Sequence, residues 1–353
     1  MSACQVYRFV SITGWVFCLC VMAFALAQPA WASNEVVQWS PWFIGLFLLG
    51  IPHGALDHLI GSELTRSGGG ASSLAAGPRF YTAYLLAAGL VLVAWLVWPT
   101  AALAGFLAIA ALHFGQGDVY WSHQLGLASQ TGSRGYRATL LLTRSLIPVA
   151  LPLLTHPGEL SVSAELMGGQ FFGQSQYFIM PPAIQAGMVG LATLIGLQVG
   201  WAVWLAWGTN DARKRAASFD ILETLILVGL FVTTPPVLAI GVYFNAWHSL
   251  RHLSRLLMAT HATQELIASG KWRSALSQLF KTTLPMTGGA LLLISIIPYL
   301  VLQFQVSVAN LGLFALIGLS MLTLPHVFVV IWMDIRQGVW SPLPGSNSCG
   351  AKP

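Results

Sequence analysis

The chain has 353 residues, 56% of them hydrophobic and only 8% charged, whereas a soluble globular protein is near a quarter charged. That balance and a mean hydropathy of +0.72 exclude a soluble domain and place the chain in a bilayer. The net charge of +5 does not mark a nucleic-acid partner, because the basic residues fall in short stretches between apolar runs, and the four cysteines (Cys4, Cys18, Cys20, Cys349) form no CxxC pair or zinc-like spacing.

A bilayer core of about 30 Å needs about 20 apolar residues per helix. Ten runs meet that need, at about 9–30, 42–60, 80–98, 101–117, 137–154, 183–207, 219–233, 236–253, 284–304 and 311–333. The expected fold is an all-α, polytopic transmembrane helix bundle of about ten spans. The first run has a second reading. Arg8, an apolar stretch and AWAS at 30–33 resemble a secretory signal peptide, whose cleavage would leave nine spans. Three parts are expected: 1–33 as N-terminal span or signal peptide, 34–335 as a membrane-embedded catalytic bundle, and 336–353 as a short tail. The fifth run carries Pro148 and Pro152, and the seventh is short and carries Asp220 and Glu223.

Lys and Arg alternate between the loops. Arg8, Arg66 and Arg79, Arg134, Arg213 to Arg215, Arg255 to Lys281, and Arg336 mark one side. The stretches 32–41, 155–182, 234–235 and 305–310 contain neither residue type. By the positive-inside rule both termini are cytoplasmic in a cell (inner) membrane. SGGGASSLAAG at 67–77 is a flexible linker by composition.

Nine histidines punctuate this apolar chain, and five of them, His53, His113, His248, His252 and His326, fall inside runs two, four, eight and ten. All four runs are read as crossing from outside to inside. At about 1.5 Å per residue, His53 lies roughly 16 Å deep, His113 and His248 roughly 18 Å, His326 roughly 22 Å and His252 roughly 24 Å. Four helices thus present imidazoles in one layer, where ionisable groups are costly and mark function. His248 and His252, in WHSLRH, stand four apart on one helix face, as two ligands of one metal require. His53 and Asp57 share that spacing within GIPHGALDH, where Gly50, Pro52 and Gly54 loosen the helix. Asp57 serves as ligand or orients one. Asp118, in HFGQGD, caps its helix or holds the ligand shell. His58, His123, His156 and His261 lie at run ends or in loops and read as interfacial or solvated. Arg144 and Glu223 lie within runs and call for ionic partners.

Imidazole-only ligation suits iron, copper, zinc or nickel, and the lack of a nearby Cys or Met argues against a soft Cu(I) or iron–sulfur site. A redox or oxygen-using reaction on a long apolar molecule fits such a site. Three other readings remain: a diiron membrane desaturase or hydroxylase, for which only WHSLRH has box form; a two-haem electron carrier; and a proton- or cation-handling transporter.

PHGALDH, HFGQGD, YFNAWHSLRH and TLPH (323–326) resemble, in order, the signature blocks of the Brp/Blh family of membrane β-carotene 15,15′-dioxygenases; TRSLIPVALPLLTHP (143–157) resembles a further block in weaker form. The blocks span about 42 to 333. The resemblance implies Fe(2+) held by His53, His113, His248 and His252, with Asp57 and His326 in auxiliary roles. It implies O2 as co-substrate, cleavage of β-carotene or a related lipophilic carotenoid into two retinal molecules, and a microbial rhodopsin as retinal acceptor. A member serving only rhodopsin assembly, with catalysis weak or lost, is the alternative within the family. The substrate is expected in a hydrophobic tunnel between the even-numbered runs, bordered by FFGQSQYF at 171–178. The first run and the loop 155–182 are not explained by the resemblance.

Overall fold

The structure is a computed structural model, and it describes residues 2–58, 77–131, 133–158, 181–259, 261–302 and 308–340. These residues are almost wholly helical, with no strand among them. Long helical rods among them fall on the expected runs. They are α1 (Ala3–Ala27), α2 (35–54), α3 (Pro78–Val97), α4 (Pro99–Leu125), α5 (Arg134–Thr155), α6 (Pro181–Ala206), α7 (Asp211–Thr233), α8 (236–257), α9 (Trp272–Leu302) and α10 (Val308–Arg336).

Local chemistry starts most of them. Ser2 and Gln5 form a reciprocal capping box on α1. Asn34, Ser133 and Asn210 accept from the first free amides of α2, α5 and α7. Proline opens α3, α4 and α8, where its missing N–H costs nothing. Pro148 and Pro152 sit inside α5 without ending it.

Among the described residues, seven helices are individually long and apolar enough to cross a membrane: Ala3–Ala27, Pro78–Val97, Pro99–Leu125, Arg134–Thr155, Pro182–Ala206, Asp211–Thr233 and Ala315–Arg336. The runs at 42–60 and 236–253 do not appear as uniform helices. α2 passes from α-helix (Glu35–Gly45) through a π segment (Leu46–Gly50) to α-helix (Ile51–Gly54), and α8 does the same with a π segment at Tyr243–Ser249. α4 extends past the expected 117 to Leu125, because Asp118 and the residues after it are buried against neighbouring helices. The linker 67–76, the core of the loop 155–182, the segment FFGQSQYF and the tail beyond 340 lie outside the described residues.

α3 and α6 are apolar around most of their circumference and stay largely uncovered, as lipid-facing helices do. α7, α8 and α10 are the most enclosed. α4 packs on α5, α5 on α6 and α7, and α10 on α3. α1 lies against α7 and α8. A Cβ on its Gly14 would come within 2.9 Å of the Ala246 carbonyl oxygen of α8. α2 crosses α8 where both carry π turns. There the Asn245 side chain fills the space that a Cβ on Gly45 would take, and it donates to the carbonyls of Pro41 (2.7 Å) and Gly241 (2.8 Å).

Candidate metal centre

α2, α4, α8 and α10 bring His53, His113, His248, His252 and His326 into one buried cluster. Ring centroids of His53 lie 5.7, 5.3 and 5.0 Å from those of His248, His252 and His326. Those of His113 lie 4.7, 5.8 and 4.9 Å from the same three. His248 and His252 stand parallel, 6.2 Å apart, as their four-residue spacing requires. One ring nitrogen from each of His53, His113 and His326 lies within 4.8 Å of the others. The rings of His248 and His252, two of the expected ligands, pack in the same cluster but do not belong to that close nitrogen set; a two-haem carrier needs two separate histidine pairs.

Two features aim the rings. The π segment of α8 carries His248 itself, and that of α2 ends just before Ile51–Gly54, which carries His53. A π turn widens the helix by one residue and redirects the side chains beyond it, a device frequent at functional sites. Gly50 then lets the two helices close. A Cβ there would meet the Phe244 ring at 2.7 Å.

Several of the ring nitrogens in this cluster lack partners. Both ring nitrogens of His113, and Nε2 of His252 and of His326, are buried without a hydrogen bond. Each such buried group costs about 1–3 kcal/mol, and several at one point are what a cation-binding donor set looks like before the cation is added. Nδ1 of His53 faces the Leu49 carbonyl at 3.1 Å, which leaves its Nε2 for the cluster. Nδ1 of His326 donates to Asp57, 2.9 and 3.0 Å from its two oxygens. The residues fit a metal such as iron.

A cavity of about 700 Å³ opens onto four of the histidines. Its other walls are apolar and aromatic, from Trp42, Phe80, Phe106, Phe244, Met286 and Leu319. The even-numbered helices α2, α4, α8 and α10 line it, and so do α3 and α9, which the tunnel expected from sequence did not include.

Asp118 does not cap its helix. It lies with Arg144, Glu223 and Arg251 in a buried, charge-balanced quartet. Arg144 reaches Asp118 at 3.2 Å and Arg251 reaches it at 3.1 Å, while Arg251 also pairs with Glu223. The indoles of Trp247 and Trp15 donate to Asp118 and Glu223 at 3.0 Å, and the Arg251 guanidinium lies over the Trp247 ring at 3.9 Å. These are the partners that Arg144 and Glu223 call for. Trp247 and Arg251 stand inside WHSLRH, each just ahead of a histidine, so the motif marks a ligand face and an ionic face together. Asp220 accepts from Ser122, Tyr136 and the Leu127 amide. His123, expected at a solvated end, is buried because α4 continues past it. Tyr84, unremarked in the sequence, lines the cavity and donates to Asp57 at 3.2 Å.

Comparison with known proteins adds a separate line. Residues 44–334 match the family described as beta-carotene 15,15′-dioxygenase. A probable beta-carotene 15,15′-dioxygenase Blh of Halobacterium salinarum is 30% identical over 310 residues, 87% of each chain. A probable beta-carotene 15,15′-dioxygenase Brp of the same species is 25% identical over 349 residues, 90% of each chain. A beta-carotene 15,15′-dioxygenase from an uncultured marine bacterium is 23% identical over 306 residues, 84% of this chain and 93% of the relative. No solved structure matches.

Proposed function

The chain belongs to the beta-carotene 15,15′-dioxygenase family, and from that membership we propose that it cleaves the central 15,15′ double bond of β-carotene with O2 to give two molecules of retinal. The observation that carries this reading is the juxtaposition of an apolar cavity of about 700 Å³ with a buried histidine cluster in its wall. Each fragment gains one atom of the O2, so no further reductant is required.

His53, His113, His248 and His252 would hold the metal, which we take to be Fe(2+). When bound there, iron supplies the oxygen chemistry that a polyene and imidazoles lack. The chain's own residues do the rest. Phe80, Phe106, Phe244 and Leu319 bury the polyene and exclude water, and the histidine wall fixes which stretch of it faces the metal. The surrounding helices belong to a membrane protein, so the carotenoid reaches the cavity from the lipid in which it dissolves. Retinal release to a microbial rhodopsin, and a cell-membrane location with both termini cytoplasmic, complete the proposal.

The direct test is expression in bacteria engineered to make β-carotene. Bleached cells with retinal in the extract, and neither change for His248→Ala, are the expected result. Persistent β-carotene beside a folded, iron-loaded protein would refute it.

A further inference from the structure

His326 stands apart from the other four histidines in what holds it. It follows Pro325 in the middle of α10 and is buried. Its Nδ1–H points at both oxygens of Asp57, which lies three residues beyond the end of α2. That bond fixes the tautomer and leaves the Nε2 lone pair on the opposite edge of the ring. Nε2 is buried and has no hydrogen-bond partner. His326 also contributes, with His53 and His113, to the set of ring nitrogens within 4.8 Å of one another. Asp57 is itself tethered. The Tyr84 hydroxyl on α3 donates to it at 3.2 Å, and also lies 3.4 Å from the Leu322 carbonyl of α10. A carboxylate that accepts from the outer nitrogen of an imidazole is the arrangement that orients metal-ligating histidines and raises their basicity.

We propose that His326 is a metal ligand in its own right, through Nε2, with Asp57 as its positioning carboxylate and Tyr84 as the clamp that holds Asp57. The proposal rests on the metal-centre reading above and adds a fifth nitrogen donor to it.

The test measures metal binding and leaves β-carotene turnover aside. The full chain is purified without oxygen in detergent, loaded with Fe(II), and titrated against a competing chelator. The variants are His326→Gly, Asp57→Asn and Tyr84→Phe. His326→Gly is expected to lose at least about tenfold in Fe(II) affinity, and added imidazole to restore most of it, since the deleted group is itself a ligand. Asp57→Asn is expected to weaken binding by about 10–100-fold, the usual effect of removing such a partner, and Tyr84→Phe by less. Co(II) in place of iron gives a ligand-field spectrum that shifts in His326→Gly and returns with imidazole. Wild-type affinity and an unchanged Co(II) spectrum in His326→Gly would overturn the assignment. So would a loss that imidazole does not restore in a protein with wild-type elution and melting. Should His326→Gly fail to fold, Asp57→Asn decides alone, and wild-type affinity there overturns the proposal. A chain that binds iron through His326 but leaves β-carotene intact would refute the cleavage reaction and leave this inference standing.

Discussion

Gly50 and Gly54 stand four residues apart in one motif, yet the fold asks different things of them. A Cβ on Gly50 would press on the Phe244 ring at 2.7 Å, while one on Gly54 would meet only the His326 ring at an ordinary 3.9 Å. Gly50→Ala is therefore expected to destabilise the protein by about 1–3 kcal/mol through overpacking, and Gly54→Ala to leave melting in detergent nearly unchanged. Adding Phe244→Leu should recover part of the Gly50→Ala loss; strict additivity in that double-mutant cycle would show that the two residues do not touch. The buried quartet sets a second expectation at this scale. Asp118→Ala leaves Arg144 and Arg251 with Glu223 as their one shared carboxylate and unbalances the buried charges, at about 3–5 kcal/mol. A melting temperature equal to wild type would contradict the quartet. His248→Ala and His252→Ala should each lower bound iron and abolish turnover while the fold survives; full iron occupancy in both would remove them from the ligand set.

The two π segments set the aim of the site. α2 and α8 cross where both are widened, and Asn245 bridges them by donating to carbonyls of Pro41 and Gly241. Asn245→Ala should cost about 1–3 kcal/mol, since it leaves buried carbonyls short of a donor. It should also reduce iron content, because His248 is three residues further along the same segment; retained iron with reduced stability would confine Asn245 to packing. Hydropathy reads both runs as ordinary spans, since an extra residue in a turn leaves no mark in an apolar average. α1 shows the same limit. A signal-like AWAS follows it, yet Trp15 donates to Glu223 and Tyr7 bonds Tyr120 through their hydroxyls at 2.8 Å. Gly14→Leu, which drives a side chain into the Ala246 carbonyl, should lower the melting temperature if α1 stays in the mature protein, and have no effect if it is removed.

At the scale of the molecule, the alternation of basic and uncharged loops predicts which side of the membrane each loop faces. In a background with the native cysteines replaced by serine, Asn34→Cys should react with an impermeant maleimide in intact cells, and Lys214→Cys only after lysis. The reverse pattern would invert the topology.

The sequence by itself determined the all-α membrane class, the places of the long helical rods and the four helices that carry the clustered histidines. Those properties are local: apolar length sets a span, and helical pitch sets both depth and the face shared by His248 and His252. Tertiary structure alone decided that Asp57 bonds His326, 269 residues away, that Asp118 pairs with two arginines, and that Gly50 yields space to Phe244. No periodicity within a helix encodes which side chain of another helix it will meet. That choice is made when buried donors, acceptors and charges, deprived of water in the bilayer, must find each other across helices.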